Sequence, residues 1–560
     1  MFERNNKRKR NISLRNLPPH VRALITTLVF AAVYFYVALP AINLQNIDFY
    51  FFLVICLALY CFIFLKANGT VRQLAEIRTI MDIRSVWLVL KKHCTVPALI
   101  CVALVTAVLI GSVISSVFLR ARAYSEILPV AEGDFAADMK QISYDRIPML
   151  DKTSAQRLGD RKLGELSDLV SQFTVVNDYT QMNYKDRPVR VATLAYGDIF
   201  KWFGNRSQGI PAYLLIDMVT QNVELMRVEE GIKYTDVEHF GRNLNRHLRF
   251  NYPTYMFSIP HLEIDETGHP YWICPKIEKT IGLFGGIDVN GAVIVDAVSG
   301  ECTYYEDVPK WVDQVYSAEL IITQYDYRGM YAGGFVNSIF GQKNVTVTTD
   351  GYNYIAQDGD LYVYTGITSV TGDKSIVGFI LCNQRTKEAH YYPCAGAEEY
   401  SAMNSAQGVV QHLAYSATFP LLLNIADQPT YFVALKDDAQ LVKMYAMVNV
   451  QMYNIVATGA TVAECELEYI RLLNQNGLTD QVPSITNGVE GVVQDIRVAV
   501  INGTSIYYLK LDSNNSYYTI SAAESKNVVL VNAGERVRIQ VADTAAAGVI
   551  VEAIGLERLP

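Results

Sequence analysis

The chain is 560 residues long, 51% hydrophobic and 19% charged, which is too apolar for a disordered protein and long enough for three or four domains. Its net charge of −8 is unevenly divided. The segment before Arg120 holds 13 Lys/Arg and 4 Asp/Glu, a net of +9, and the remaining 35 basic and 52 acidic residues net −17. An acidic majority lacks the clustered Lys/Arg that phosphate-backbone binding needs, which excludes nucleic acid as the main partner.

Residues 1–22 form a basic tail, expected to be cytoplasmic. Three uncharged runs follow within 23–119: Ala23–Ile42, Phe49–Leu65 and Val96–Leu119. A bilayer-crossing helix needs roughly 20 apolar residues, so all three are expected to span, the second at the short limit. The first is too long for a signal-peptide core and runs directly into the second, against a cleaved leader. Arg4, Lys7, Arg8, Lys9, Arg10, Arg15 and Arg22 precede the first run, and Lys66, Arg72, Arg78, Arg84, Lys91 and Lys92 occupy the loop at 66–94. The short turn Asn43–Asp48 has no basic residue. The positive-inside rule then predicts a multi-pass protein of the cell membrane with its N-terminus inside and its C-terminal region outside; Arg120 and Arg122 run against the rule but are outnumbered.

In the inner loop, Val71, Leu74, Ile77, Met81 and Trp87 alternate with Arg72, Arg78 and Arg84 at helical spacing. Two readings stand: a helix lying on anionic lipid, or an ordinary packed surface helix. Ala103, Ala107, Gly111 and Ser115 recur every fourth residue and define a small-residue packing face on the third helix. None of the three runs contains Asp, Glu, Lys, Arg or His, which disfavours a transporter or pump.

Residues 120–154 read as a stalk broken by Pro129 and Pro148. From 155 to 475 the pattern is α+β. Leu163, Leu166, Leu169, Val170 and Phe173 have helical spacing, Thr174–Val176 and Pro188–Leu194 read as strands, and Ile199–Phe203 reads as a short helix. A helix is expected over Val237, Phe240, Leu244 and Leu248, ended by Pro253. A weak repeat runs through this region at intervals of about 80 residues. YLLIDMVTQNVEL (Tyr213–Leu225), AVIVDAVSGECTYY (Ala292–Tyr305) and GFILCNQRTKEAHYY (Gly378–Tyr392) each read as strand, polar turn and strand, with a looser copy at Thr430–Tyr445. Asp217, Asp296 and Asn383 share one turn position, and Thr220, Ser299 and Thr386 share another, residue types whose side chains bond the backbone just ahead. Each unit is expected to be a helix plus a small antiparallel sheet.

The strand followed by Asp-Ala-x-Ser-Gly-Glu and a second strand, clearest at Val295–Tyr305, resembles PepSY domains. Gln221 and Lys387 stand where that pattern usually has Gly. The resemblance implies modules that bind or inhibit partner proteins in the bacterial envelope. The whole layout resembles bacterial membrane proteins with such repeats outside the membrane, a likeness that brings no activity with it. The 36 tyrosines suit half-buried sheet faces; a second reading is a peptide- or glycan-binding face.

After Pro483, residues 485–557 hold five candidate strands: Val489–Val500, Ser505–Leu511, Tyr517–Ser521, Arg536–Val541 and Val549–Ile554. They resemble an OB-like barrel, without the basic groove of nucleic-acid OB-folds.

No chemistry-bearing motif stands out, and no cofactor is expected. His239, His247, His261 and His269 lack metal-ligand spacing. Gly282–Gly291 reads as a turn. Gln357–Asp360 reads as a hairpin turn, with a calcium contact as the alternative. Cys56, Cys61, Cys94 and Cys101 lie in or beside the membrane runs. Cys274, Cys302, Cys382, Cys394 and Cys465 have no CxxC spacing and read as small buried hydrophobes, one bridge among them being left open. The sequence favours an extracytoplasmic binding or scaffold protein contacting lipid and an envelope protein. The alternatives are an envelope hydrolase or a subunit of a larger membrane complex.

Overall fold

The computed structural model describes residues 17–69, 80–141, 147–370, 375–480, 488–501, 504–513, 516–522, 526–541 and 550–559. It is a mixed helix and sheet protein in two compact units, Met1–Gly133 with Leu150–Cys394, and Asp134–Met149 with Ala395–Pro560.

The first unit opens with α1 (Pro19–Ala38), α2 (Ile47–Ala67) and α3 (Ile80–Ile114). All three are long and apolar enough to cross a membrane, α3 through Thr95–Ile114. Pro19 sits in the first turn of α1, where its missing N–H costs nothing. α2 is longer than its uncharged run because Asp48 lies in its first turn and Lys66 in its last, each at the end its charge favours. The expected inner-loop amphipathic stretch falls largely outside the described residues; only the helical backbone from Ile80 onward is described. After α3 a kinked helix, α4 (Val117–Ser125), leads to β1 (Val130–Glu132). The segment read as a stalk thus supplies a strand. Its following part, with the short helix α5 (Phe135–Asp138), belongs to the second unit.

One module is then built four times. The first comprises α6 (Lys152–Gly164), β2 (Phe173–Val175), β3 (Thr180–Tyr184), β4 (Arg187–Tyr196), α7 (Ile199–Asn205), β5 (Ile210–Asp217) and β6 (Val223–Ile232). The second comprises α8 (Leu244–Asn251), β7 (Met256–Phe257), β8 (His261–Ile264), β9 (Pro270–Ile281), β10 (Gly285–Asp296) and β11 (Cys302–Tyr305). The third comprises α9 (Ala318–Tyr331), β12 (Thr346–Thr348), β13 (Asn353–Gln357), β14 (Asp360–Ser369), β15 (Ser375–Asn383) and β16 (Ala389–Ala397). The fourth, in the second unit, comprises α10 (Glu399–Val409), β17 (Ser416–Ala417), β18 (Leu421–Ile425), β19 (Gln428–Lys436), β20 (Val442–Asn449), β21 (Val456–Gly459) and α11 (Val462–Gln475). In each sheet two short strands share one long neighbour, which is followed by two more strands, all antiparallel. β1 alone departs from this, adding in parallel to the edge of β16.

Local sequence explains the register. Residue pairs in the left-handed region turn β3 into β4 (Lys185, Asp186), β13 into β14 (Asp358, Gly359) and β18 into β19 (Ala426, Asp427), as two-residue hairpins require. The Gln357–Asp360 motif is one of these turns. Two helix expectations shift. Leu166–Phe173 forms hydrogen-bonded turns after α6 has ended at Gly164, and Phe240–Arg242 is a 3₁₀ turn before α8, because Asn243 caps α8 by accepting from the Arg246 N–H.

The sheets of the first unit are buried on both faces. Ala192 and Ile216 pack with Leu158 of α6, while Val191, Tyr213 and Leu215 share a core with Leu248 of α8 and Val293 and Val295 of the second sheet. Ala292 and Ile294, facing the other way, pack with Val312, Val315 and Leu320, and α9 lies on the third sheet through Ile321 and Tyr325.

The chain ends in a closed barrel of β22 (Gly488–Ile501), β23 (Thr504–Leu511), β24 (Tyr517–Ser521), β25 (Arg536–Val541) and β26 (Ile550–Arg558), in the order β22-β23-β24-β26-β25 with β24 and β26 parallel.

Two positions that depart from Gly separate conformational cost from contact energy. Gln221 (φ 61°) and Lys387 (φ 67°) both sit in the left-handed region, which costs an ordinary residue about 1–2 kcal/mol. Gln221→Gly is expected to raise unfolding stability by about 0.5–1 kcal/mol. Lys387→Gly is expected to lower it by about 1–3 kcal/mol, because it leaves a half-buried Asp288 without its cation. Denaturant unfolding of the two variants checks the opposite signs.

Candidate functional site

The six turn positions read from the sequence do one job. Asp217 Oδ1 accepts from the N–H groups of Val219 and Thr220 at 2.9 and 2.8 Å. Asp296 Oδ1 does so from Val298 and Ser299 at 2.8 and 2.9 Å, and Asn383 Oδ1 from Arg385 and Thr386 at 2.8 and 3.0 Å. Thr220, Ser299 and Thr386 in turn accept from the N–H two residues on. The fourth copy lies elsewhere than expected. Asn449 Oδ1 accepts from Gln451 and Met452, so the equivalent hairpin is β20–β21, and Thr430–Tyr445 covers the preceding hairpin, β19–β20. The carbonyl just after each of the later three turn residues receives the chain that enters the module's helix. Lys233 and Tyr234 donate to Ala297, Val315 and Tyr316 to Gln384, and Ala397 to Val450. Burial pushes the Asp296 carboxyl up, but the Ser299 and Val298 N–H groups and His269 outweigh it and hold it below the usual range.

The small-residue face of α3 is divided. Ala103 and Ala107 are exposed; Gly111 and Ser115 are buried. The β9–β10 hairpin tip covers the last two. Ser115 Oγ accepts from the N–H groups of Leu283 and Phe284 at 2.8 and 3.0 Å, and its carbonyl accepts from the Tyr124 hydroxyl at 2.7 Å. A Cβ on Gly111 would come within 2.7 Å of the Phe284 ring, which also meets Tyr50 of α2 edge-on. The α1–α2 turn is tied to the same modules. The Gln45 amide exchanges two hydrogen bonds with the Lys279 backbone. Arg249 donates to Leu39 O and to the carbonyls of Tyr252, Pro253 and Tyr255; burial pushes its guanidinium down to about 10. Sequence reasoning missed Gln45 and Arg249, whose signal was faint: one amide among three in the turn Asn43–Asp48 and one of two arginines in α8.

A second polar cluster lies among the first three sheets. Glu263, fully buried, accepts from the N–H groups of Asp313 (2.8 Å) and Gln314 (3.0 Å) and is paired with His261 Nε2 at 3.0 Å. Asp313, 1% exposed, accepts from the Asn183 N–H. Burial, followed by the charge of Glu263, pushes the Asp313 carboxyl well above the usual range. Beside this pair, Arg385 and the Asn383 amide both bond Asp360. Lys387 Nζ lies 2.7 Å from both Asp288 oxygens, clamping the second module to the third.

The remaining histidines are used singly. His247 meets Gly300 O, His269 meets Asp296 and His239 packs on Trp202. Among the described residues, no group of three or more His, Cys, Asp or Glu is placed to hold a metal. Cys274, Cys302, Cys382 and Cys465 are free thiols, all but Cys302 buried, and Cys394 is buried as well. A cleft of about 390 Å³ opens beside the first repeat turn, lined by Lys185, Arg187, Asp217, Asn222 and Glu224.

No protein-family model matches the chain, and no curated protein matches it. Among solved structures, the crystal structure of Bacillus subtilis levansucrase is matched at 8% identity over 77% of this chain and 95% of that one, with a TM-score of 0.16. A B. megaterium levansucrase mutant is matched at 9% identity over 76% and 95%, with the same TM-score. Similarity at that level carries no argument about fold or activity.

Ser115→Ala leaves two buried N–H groups without an acceptor and is expected to cost about 1–3 kcal/mol; Ser115→Thr keeps the oxygen and is expected to lose much less. Thermal unfolding in detergent compares them. Asp313 supplies a pH signature. With its folded pKa raised, its contribution is complete below the ordinary carboxylate range and is lost as pH rises through the raised value. The melting temperature of the wild type is expected to fall between about pH 5 and about pH 8 more than that of Asp313→Asn, which cannot ionise. Equal falls would contradict this assignment.

Proposed function

We propose that this chain is a membrane-anchored binding scaffold of the bacterial envelope, whose PepSY-like modules hold or regulate another envelope protein by extracytoplasmic contacts. The observation that carries the reading is β1. The chain adds an extended segment of its own to the last strand of the third module, Val130–Glu132 against Ala389–Tyr391. The corresponding strand of the first module, β6, ends its sheet, and strand addition to such an edge is a general mode of peptide recognition. Glu224, Glu229 and Glu230 lie along β6. They discourage self-pairing and select a partner segment carrying Lys or Arg.

Other features support the compartment and the modules. The α1–α2 turn and the end of α3 both bond the sheet modules. Arg22, Lys66 and Lys91 therefore lie toward the opposite helix ends, as a cytoplasmic N-terminus requires. The barrel order, with strands three and five parallel, supports the OB-like reading of residues 485–557 and a role as a contact module.

A photo-crosslinking amino acid placed at Glu224 or Glu229 of the full chain in native membranes is expected to give one discrete protein adduct. Reversal to Lys of the two among Glu224, Glu229 and Glu230 that do not carry the crosslinker should reduce its yield about tenfold. No adduct at either position, or an adduct indifferent to the reversal, would contradict edge recognition.

A further inference from the structure

We infer that the sheet modules rest on the bilayer surface through two aromatic feet, so that lipid is a direct ligand of the region outside the membrane as well as the solvent of α1–α3. The inference rests on α1–α3 crossing a membrane and is independent of any protein partner. Among the described residues after 120, five phenylalanines are more than one-third exposed: Phe200, Phe203, Phe240, Phe250 and Phe340. Exposure of so many phenylalanines in water is unfavourable. They are not scattered. Four sit beside the end of α1, and the fifth beside the end of α3.

The first foot is connected to α1 by direct contacts. The Phe250 ring meets Phe35 edge-on at 5.7 Å and lies 6.2 Å from Tyr36. Arg246 donates to Tyr36 O, holds its guanidinium 4.3 Å from the Tyr36 ring, and donates to Phe240 O. Phe240 packs on Trp202 at 5.9 Å, and Trp202 on Phe203 at 4.8 Å. Trp202 is pinned inside by its bond to Glu238, which leaves Ile199, Phe200 and Phe203 on the outer side of α7 at 45, 81 and 55% exposure. Lys201, Arg206 and Arg242 flank them, and Arg242 donates to Arg206 O. Aromatic tips with interleaved cations suit the headgroup and acyl boundary.

The second foot adjoins α3. Phe118 meets Phe335 edge-on at 5.3 Å. Phe335 stacks on Tyr331, and the next turn presents Val336, Ile339 and Phe340 at 66, 50 and 83% exposure. The ends of α1 and α3 leave the membrane on the same side, because both bond the second module. Phe250 meets α1 directly, Phe240, Phe203 and Phe200 follow it through Arg246 and Trp202, and Phe340 follows Phe118 through Phe335, which sets them at the bilayer surface. The occupant is therefore phospholipid, fixed by continuity with the spans.

The test uses the purified full chain in nanodiscs containing phosphatidylcholine with a diazirine on the acyl chain, photolysed and mapped by mass spectrometry. Adducts are expected within α1–α3, within 199–203 or 240, and within 336–340. Phe200→Asp with Phe203→Asp, or Phe340→Asp alone, should lower the yield at its own foot about fivefold or more while leaving the spans labelled. Adducts confined to α1–α3, or present at one foot alone, overturn the two-foot placement. Absence of adducts from α1–α3 overturns the spanning assignment beneath it. A far-ultraviolet spectrum unchanged by the substitutions separates lost lipid contact from lost fold.

Discussion

The sheets of the first unit are apolar on both faces, and that constraint governs everything built around them. A five-strand sheet with Val191 and Leu215 on one side and Ala192 and Ile216 on the other has no face to give to water. The first two sheets must each be covered by a helix of their own and by the next module. The stacking, the common strand order and the short connections follow from this requirement. The Asp or Asn at the later three turns receives a local role from it, since each of those modules must turn where the chain enters its own helix. The Lys387–Asp288 clamp shows the same constraint acting on a single residue: a lysine tolerates a backbone conformation suited to glycine because its side chain fastens two modules together.

Much of this was legible in the sequence where local chemistry decides. The apolar runs overlap α1–α3, the first continuing past Ala38 to Ile42 and the third past Ile114 to Leu119, and the five strands after Pro483 match the barrel to within a few residues. The turn residues of the first three repeats were visible because an Asx turn needs a particular side chain at a particular offset. The fourth was misplaced because Asn449 is followed by VQMYN, which keeps the turn geometry without the Ser/Thr or Gly signature. The preceding hairpin, with its adjacent aspartates, looked more like a copy. What the sequence hid depends on tertiary partners. Nothing about Glu263 inside HLEIDETGH announces that it accepts from the backbone about 50 residues away, and nothing in residues 120–154 announces a strand that adds to β16. The small-residue face on α3 was visible, but its partner at Gly111 and Ser115 is a hairpin tip rather than a helix.

These features would hold the proposed recognition edge of β6 at a set place relative to the membrane-length helices. Backbone-directed bonds from Gln45, Arg249 and Ser115 fix the modules to the helix ends without a flexible linker. A partner meeting the edge of β6 would therefore meet it at a defined orientation to the membrane. This arrangement suits regulation of a neighbour in the same bilayer better than capture of a diffusing ligand.

The side of the membrane on which the modules stand decides the account most directly. Intact cells carrying one epitope tag at the N-terminus and another after Pro560 can be stained before and after permeabilisation. The account predicts that the C-terminal tag is stained at once and the N-terminal tag only after permeabilisation. The reverse order would place the sheet modules in the cytoplasm and contradict the proposed role.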